Sequence, residues 1–86
     1  MQQKPRIWAE PTVLEGGTLV VRARSEVKEI SVFIPGHGSF LIGVRHGRAE
    51  LTLPPNVRGG AQLIVSDLLV PTPCSLTVDV VGNSQP

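Results

Sequence analysis

The chain has 86 residues, 41% of them hydrophobic and 17% charged, with a formal net charge of +1. That length supports one core, the apolar fraction excludes a disordered chain, and the small charge excludes a general binder of nucleic acid or acidic membranes. A single cysteine excludes an internal disulfide framework and a cysteine-rich zinc site.

Met1 to Glu10 is polar and has no apolar run to serve as a signal peptide. No stretch approaches the ~20 apolar residues of a membrane span, so a soluble chain without a membrane span is expected. Ile7 to Leu14 is expected to supply a first strand, broken by Pro11. Glu15-Gly16-Gly17 then turns the chain. Thr18 to Arg24 alternates, with Leu19, Val21 and Ala23 on one face and Val20, Arg22 and Arg24 on the other. Glu29 to Ile34 repeats the pattern, with Ile30, Val32 and Ile34 inward and Phe33 outward. Pro35-Gly36-His37-Gly38 separates it from a strand over Ser39 to Val44. Arg45-His46-Gly47-Arg48 reads as a tight hairpin, because a His-Gly pair suits a turn that needs positive φ.

Arg48 to Leu53 sets Ala49, Leu51 and Leu53 against Glu50 and Thr52, and Pro54-Pro55-Asn56 stops it. Gly59-Gly60 opens a strand over Ala61 to Asp67, with Ala61, Leu63 and Val65 inward. Pro71-Thr72-Pro73 interrupts the chain before Ser75 to Val81, whose Leu76, Val78 and Val80 face the core. No window carries a helical stripe with caps. About seven short, half-buried strands spaced by turns predict an antiparallel sandwich or small barrel of roughly 12 Å radius of gyration, the sandwich being preferred. It is one domain over 1–86, with a core from about 7 to 82 and polar ends at Met1–Pro5 and Asn83–Pro86.

The segments PTVLEGGTLVVRA, VKEISVFIPG, GRAELTLPP, GGAQLIVSD and SLTVDVVG together resemble a bacterial immunoglobulin-like domain of the early-set kind. The resemblance covers about Pro11 to Gly82. It rests on a proline six residues before Gly17 and on a closing Val78-x-Val80-x-Gly82 strand. It implies an immunoglobulin-like sandwich that serves as one module of a larger bacterial envelope or secreted protein, in an extracellular or periplasmic setting. The chain departs from antibody-type domains: it has no cysteine pair and no tyrosine, and its one tryptophan is not in the third strand.

The candidate chemical groups are dispersed. His37 and His46 are predicted at opposite ends of one strand, roughly 17–20 Å apart, so they read as solvent-exposed turn residues. Cys74 follows Pro73 with no helix or base to activate it and reads as a small hydrophobe or a partly exposed loop thiol. Asp67 is a lone acid, short of the several oxygens that calcium takes. Arg22, Arg24, Arg45 and Arg48 form the one basic grouping, which reads first as a solvated strand face and otherwise suits an anionic glycan or an acidic partner. Trp8 reads as a plug at one end of the core or as a contact to a neighbouring domain. Val20, Phe33, Ile64 and Val81 form a partner-seeking patch if their faces are open.

The expected role is therefore a non-catalytic structural or interaction module with no cofactor and no metal. Arg22, Arg24, Phe33, His37 and His46 are the candidate contacts to a protein partner or neighbouring domain. Two other roles fit the pattern: an accessory subunit of an enzyme complex, and a self-assembling subunit of a virion or appendage, hence a homo-oligomer.

Overall fold

The computed structural model describes residues 6–82, and the polar ends predicted at 1–5 and 83–86 lie outside that range. Eight strands follow one another: β1 (Ile7–Ala9), β2 (Thr12–Leu14), β3 (Thr18–Ala23), β4 (Glu29–Ile34), β5 (Gly38–Gly43), β6 (Arg48–Thr52), β7 (Gln62–Ser66) and β8 (Ser75–Val81). No helix occurs among the described residues, so none is long and apolar enough to cross a membrane. The strands form a narrow sheet in the order β1-β3-β6 and a wide sheet in the order β2-β8-β7-β4-β5.

The predicted alternation holds because each strand has one apolar row to bury. Ile30 and Val32 from β4, Leu63 and Val65 from β7, and Val78 from β8 are all 0% exposed. Leu19, Val21 and Ala49 close the core from the narrow sheet. Burial of each such side chain contributes about 2 kcal/mol. A slip of one residue in register turns these rows to water, which is why the pairing is unique. The radius of gyration is 13.1 Å.

The strand count is eight rather than about seven, and the reason lies at the chain start. Glu10 and Pro11 break the first strand so completely that its halves join different sheets. Ile7–Ala9 pairs antiparallel with β3, through Trp8 opposite Arg22. Thr12–Leu14 pairs parallel with β8, through Val13 opposite Val80. Among the described residues this is the one parallel pairing in an otherwise antiparallel ladder set. The chain also crosses between sheets after β2, β3, β5 and β6. Two packed sheets, a first strand shared between them and these crossovers make an immunoglobulin-like sandwich.

The tight turn predicted between Arg45 and Arg48 forms. Each of those two residues donates its N–H to the other's carbonyl, at 2.9 and 3.0 Å. His46 and Gly47 between them sit at φ 54 and 74. Consecutive positive φ values are the mirror-image turn whose twist matches the flanking strands, and Gly47 adopts it at no steric cost. At the other end of β5, the His37 N–H closes the Pro35-Gly36 turn onto the Ile34 carbonyl at 2.9 Å. His37 is half-buried there, not fully exposed as its loop position suggested.

Candidate functional site

The arginines gather at one end of the narrow sheet, and the register shows how. β1 pairs with β3 through Trp8 and Arg22, and β3 pairs with β6 through Arg22 and Arg48. Residues directly opposite share a face and stand about 5 Å apart. Trp8, Arg22 and Arg48 therefore form one row across the outer face of the narrow sheet, and all three are exposed. Trp8 points outward because its neighbours Ile7 and Ala9 take the inward positions of β1. It is 49% exposed, so it is no core plug.

Just beyond that row the Ala23 N–H reaches the Gly47 carbonyl at 2.8 Å, and the Arg24 N–H reaches the Arg6 carbonyl at 2.9 Å. These bonds bring the β5–β6 hairpin and the chain start to either side of Arg24. Two shallow grooves result. One, of about 230 Å³, lies among Arg6, Trp8, Arg22 and Arg24. The other, of about 210 Å³, lies among Arg24, Lys28, His46 and Gly47. Arg24 lines both.

The counter-charges at this end are weak. Glu26 lies 3.4 Å from Arg24 and Glu50 lies 2.7 Å from Arg48, with all four side chains about half exposed. Exposed pairs of this kind contribute about 0–1 kcal/mol and exchange readily. Among the described residues Arg22 forms no ion pair.

One acid at this end has a different task. Asp67 follows β7 directly and is 2% exposed. Its Oδ2 accepts the Arg6 Nε–H at 2.6 Å, while Oδ1 accepts the N–H groups of Leu69 and Cys74, each at 3.0 Å. Arg6 also donates to the Thr72 carbonyl at 2.6 Å. Burial alone pushes the Asp67 carboxyl up. The Leu69 N–H, the Arg6 guanidinium and the Cys74 N–H outweigh it and hold the group below its usual value. The same hydrogen bond raises Arg6 above its ordinary value. With its oxygens committed to these donors, Asp67 is an anchor that ties the β7–β8 loop to the chain start. Among the described residues no three His, Cys, Asp or Glu side chains converge as metal ligands.

The five residues singled out from the sequence do not form one site. Arg22, Arg24 and His46 meet at the basic end. Phe33 lies on the outer face of the wide sheet beside Ile64, and the pair are 41% and 46% exposed. His37 sits at the far end of β5 from His46. The outer face of the wide sheet is open, while Val20 on the narrow sheet is half-buried. Sequence reasoning missed Arg6 as a partner of Asp67. Of its two readings of Trp8, the core plug is excluded by the outward position, which the flanking Ile7 and Ala9 signalled. No protein-family model, no curated protein and no solved structure matches this chain.

Proposed function

We propose that the chain is a non-catalytic immunoglobulin-like interaction module that docks an acidic segment of a partner protein on the basic end of its narrow sheet. The observation that carries this reading is the exposed row of Trp8, Arg22 and Arg48, extended by Arg24 and His46. Tryptophan and arginine are the residue types that most often dominate protein interfaces, since each combines a wide apolar or planar surface with a polar group. The Asp67 anchor supports the reading by holding Arg6 and the β7–β8 loop rigid beside the row, which lowers the ordering cost of binding. A single aromatic argues against a stacked sugar or a single-stranded nucleic acid, both of which use several rings. The strand and turn resemblance to bacterial early-set domains supports a place within a larger envelope or secreted protein.

Trp8 is the one tryptophan of the chain, so its fluorescence reports on this surface alone. Titration with poly-L-glutamate at low salt is expected to shift and quench its emission, with weaker binding as salt rises. The Arg22→Glu variant is expected to lose the response. An unchanged emission, or equal binding by Arg22→Glu, refutes the reading.

A further inference from the structure

We infer that the outer edge of β5 is a self-association surface, on which the β5 of a second copy pairs antiparallel about a twofold axis through Leu41. The surface belongs to the wide sheet and stands independently of the basic end of the narrow one.

The first observation is how the sheet edges are guarded. An open edge offers unpaired N–H and C=O groups to any passing strand, and proteins blunt such edges with charges, prolines or short length. β1 has three residues and is flanked by Arg6 and Glu10. β2 has three residues and follows Pro11. β6 carries Arg48 and Glu50. β5 has six residues, Gly38-Ser39-Phe40-Leu41-Ile42-Gly43, with no charge and no proline. Alone among the edges it carries none of these guards.

The second observation is the direction of its backbone groups. The Val44 N–H donates to the Lys28 carbonyl at 2.9 Å, and Gly43 stands opposite Glu29. Hydrogen-bonded and non-bonded pairs alternate along an antiparallel ladder. Ile42 and Phe40 therefore bond toward β4, and Ser39, Leu41 and Gly43 turn both backbone groups to the free edge. A twofold axis through Leu41 sets it against the partner's Leu41, and Ser39 against the partner's Gly43. Every outward group between Ser39 and Gly43 is then satisfied. An axis through Phe40 leaves Gly43 without a partner and shortens the ladder.

The side chains favour the same register. Leu41 is 67% exposed and meets its own copy across the axis. On the inner face Phe40 meets the partner's Ile42. Both residues are only half-buried in the single chain, whereas Ile30 and Val32 opposite them on β4 are 0% exposed. The core is thus unfinished along this edge, and a second copy completes it. A Cβ added at Gly43 meets nothing within 4 Å, so the space beside the partner's Ser39 stays open for the partner's Phe33, which stands opposite that serine. A ladder this short buries little area, so the expected complex is weak and reversible.

Light scattering on a concentration series from micromolar to millimolar, with reductant present, is expected to show the mass rising from one chain toward twice that value. Leu41→Lys places like charges across the axis and is expected to stay at one chain mass. Leu14→Lys, on the opposite edge and 51% exposed, is expected to associate like the native chain. In a Cys74→Ser background, Leu41→Cys places two Cα atoms about 5.5 Å apart, within disulfide reach. Mild oxidation is expected to link it into a covalent dimer far faster than Leu14→Cys. A single chain mass for the native protein throughout the series overturns the proposal. So does association that Leu41→Lys leaves intact, or equal cross-linking of the two cysteine variants.

Discussion

Substituting Asp67 by alanine and by asparagine separates the tasks of its two oxygens. Alanine removes the acceptor of both the Leu69 and the Cys74 N–H groups, which now lie at Oδ1 at 3.0 Å. A donor left without a partner in such a part-buried place costs about 1–2 kcal/mol, so the two together cost about 3 kcal/mol. Arg6 is freer to recover, because a quarter of its side chain already meets water. For a domain of this size about 3 kcal/mol lowers the melting temperature by roughly 12–24 °C. Asparagine keeps an oxygen at the Oδ1 position and turns its NH₂ toward Arg6, so it loses the ion pair but retains both backbone bonds. Its expected loss is clearly smaller. Urea unfolding followed by circular dichroism gives both numbers on one scale. Equal losses for the two variants refute the assignment of the stability to the backbone bonds. A loss below about 1 kcal/mol for alanine shows that the loop is held by something other than Asp67.

Further outcomes follow from the same contacts. Asp67 has a folded pKa below its usual 3.8, so it stabilises the fold above that pH and the contribution is lost as pH falls through the folded value. Arg6→Ala leaves burial less opposed and raises that folded value, so its acid unfolding midpoint, read by circular dichroism, is expected at higher pH than that of the native chain. Gly59→Ala sets a new Cβ 2.6 Å from the Gly82 nitrogen and 2.9 Å from its Cα. Backbone cannot yield cheaply there, so a loss of about 1–3 kcal/mol is expected in urea unfolding. The Arg22→Glu fluorescence titration and the Leu41→Lys mass series probe opposite sheets, so Arg22→Glu is expected to associate normally and Leu41→Lys to bind poly-L-glutamate normally.

The strands were legible because alternation is a local property. Ile30, Val32 and Ile34 announce an inward face to anyone who counts by two, and all three are 0% exposed. The His46-Gly47 turn was legible for the same reason, since few residue pairs accept two positive φ values. What the sequence withheld was everything that depends on distant pairing. Arg6 and Asp67 are 61 residues apart, and nothing near either one names the other. Asp67 reads as the polar end of a strand, yet it is the one charged side chain buried among the described residues. The basic end was half legible: Arg22 and Arg24 were seen to share a face, but Trp8 joins them only through the β1–β3 register. That β5 lies at an edge depends on sheet order, although its lack of charge was visible from the start.

The division of the first strand has a mechanical consequence. β1 begins at the basic end and runs away from it, and β8 runs in the same direction as β2. Arg6 and Gly82 therefore leave the domain at opposite ends of the strands. Tension between them draws β2 and β8 past each other along a common axis. The Asp79 N–H to Pro11 carbonyl bond at 2.8 Å and the Glu15 N–H to Val81 carbonyl bond at 3.0 Å then carry the force side by side with the ladder between them. Bonds strained together must break together, whereas a hairpin pulled from its open end unzips one bond at a time. Stretching a single molecule between these two ends is therefore expected to give one abrupt force peak rather than a gradual extension.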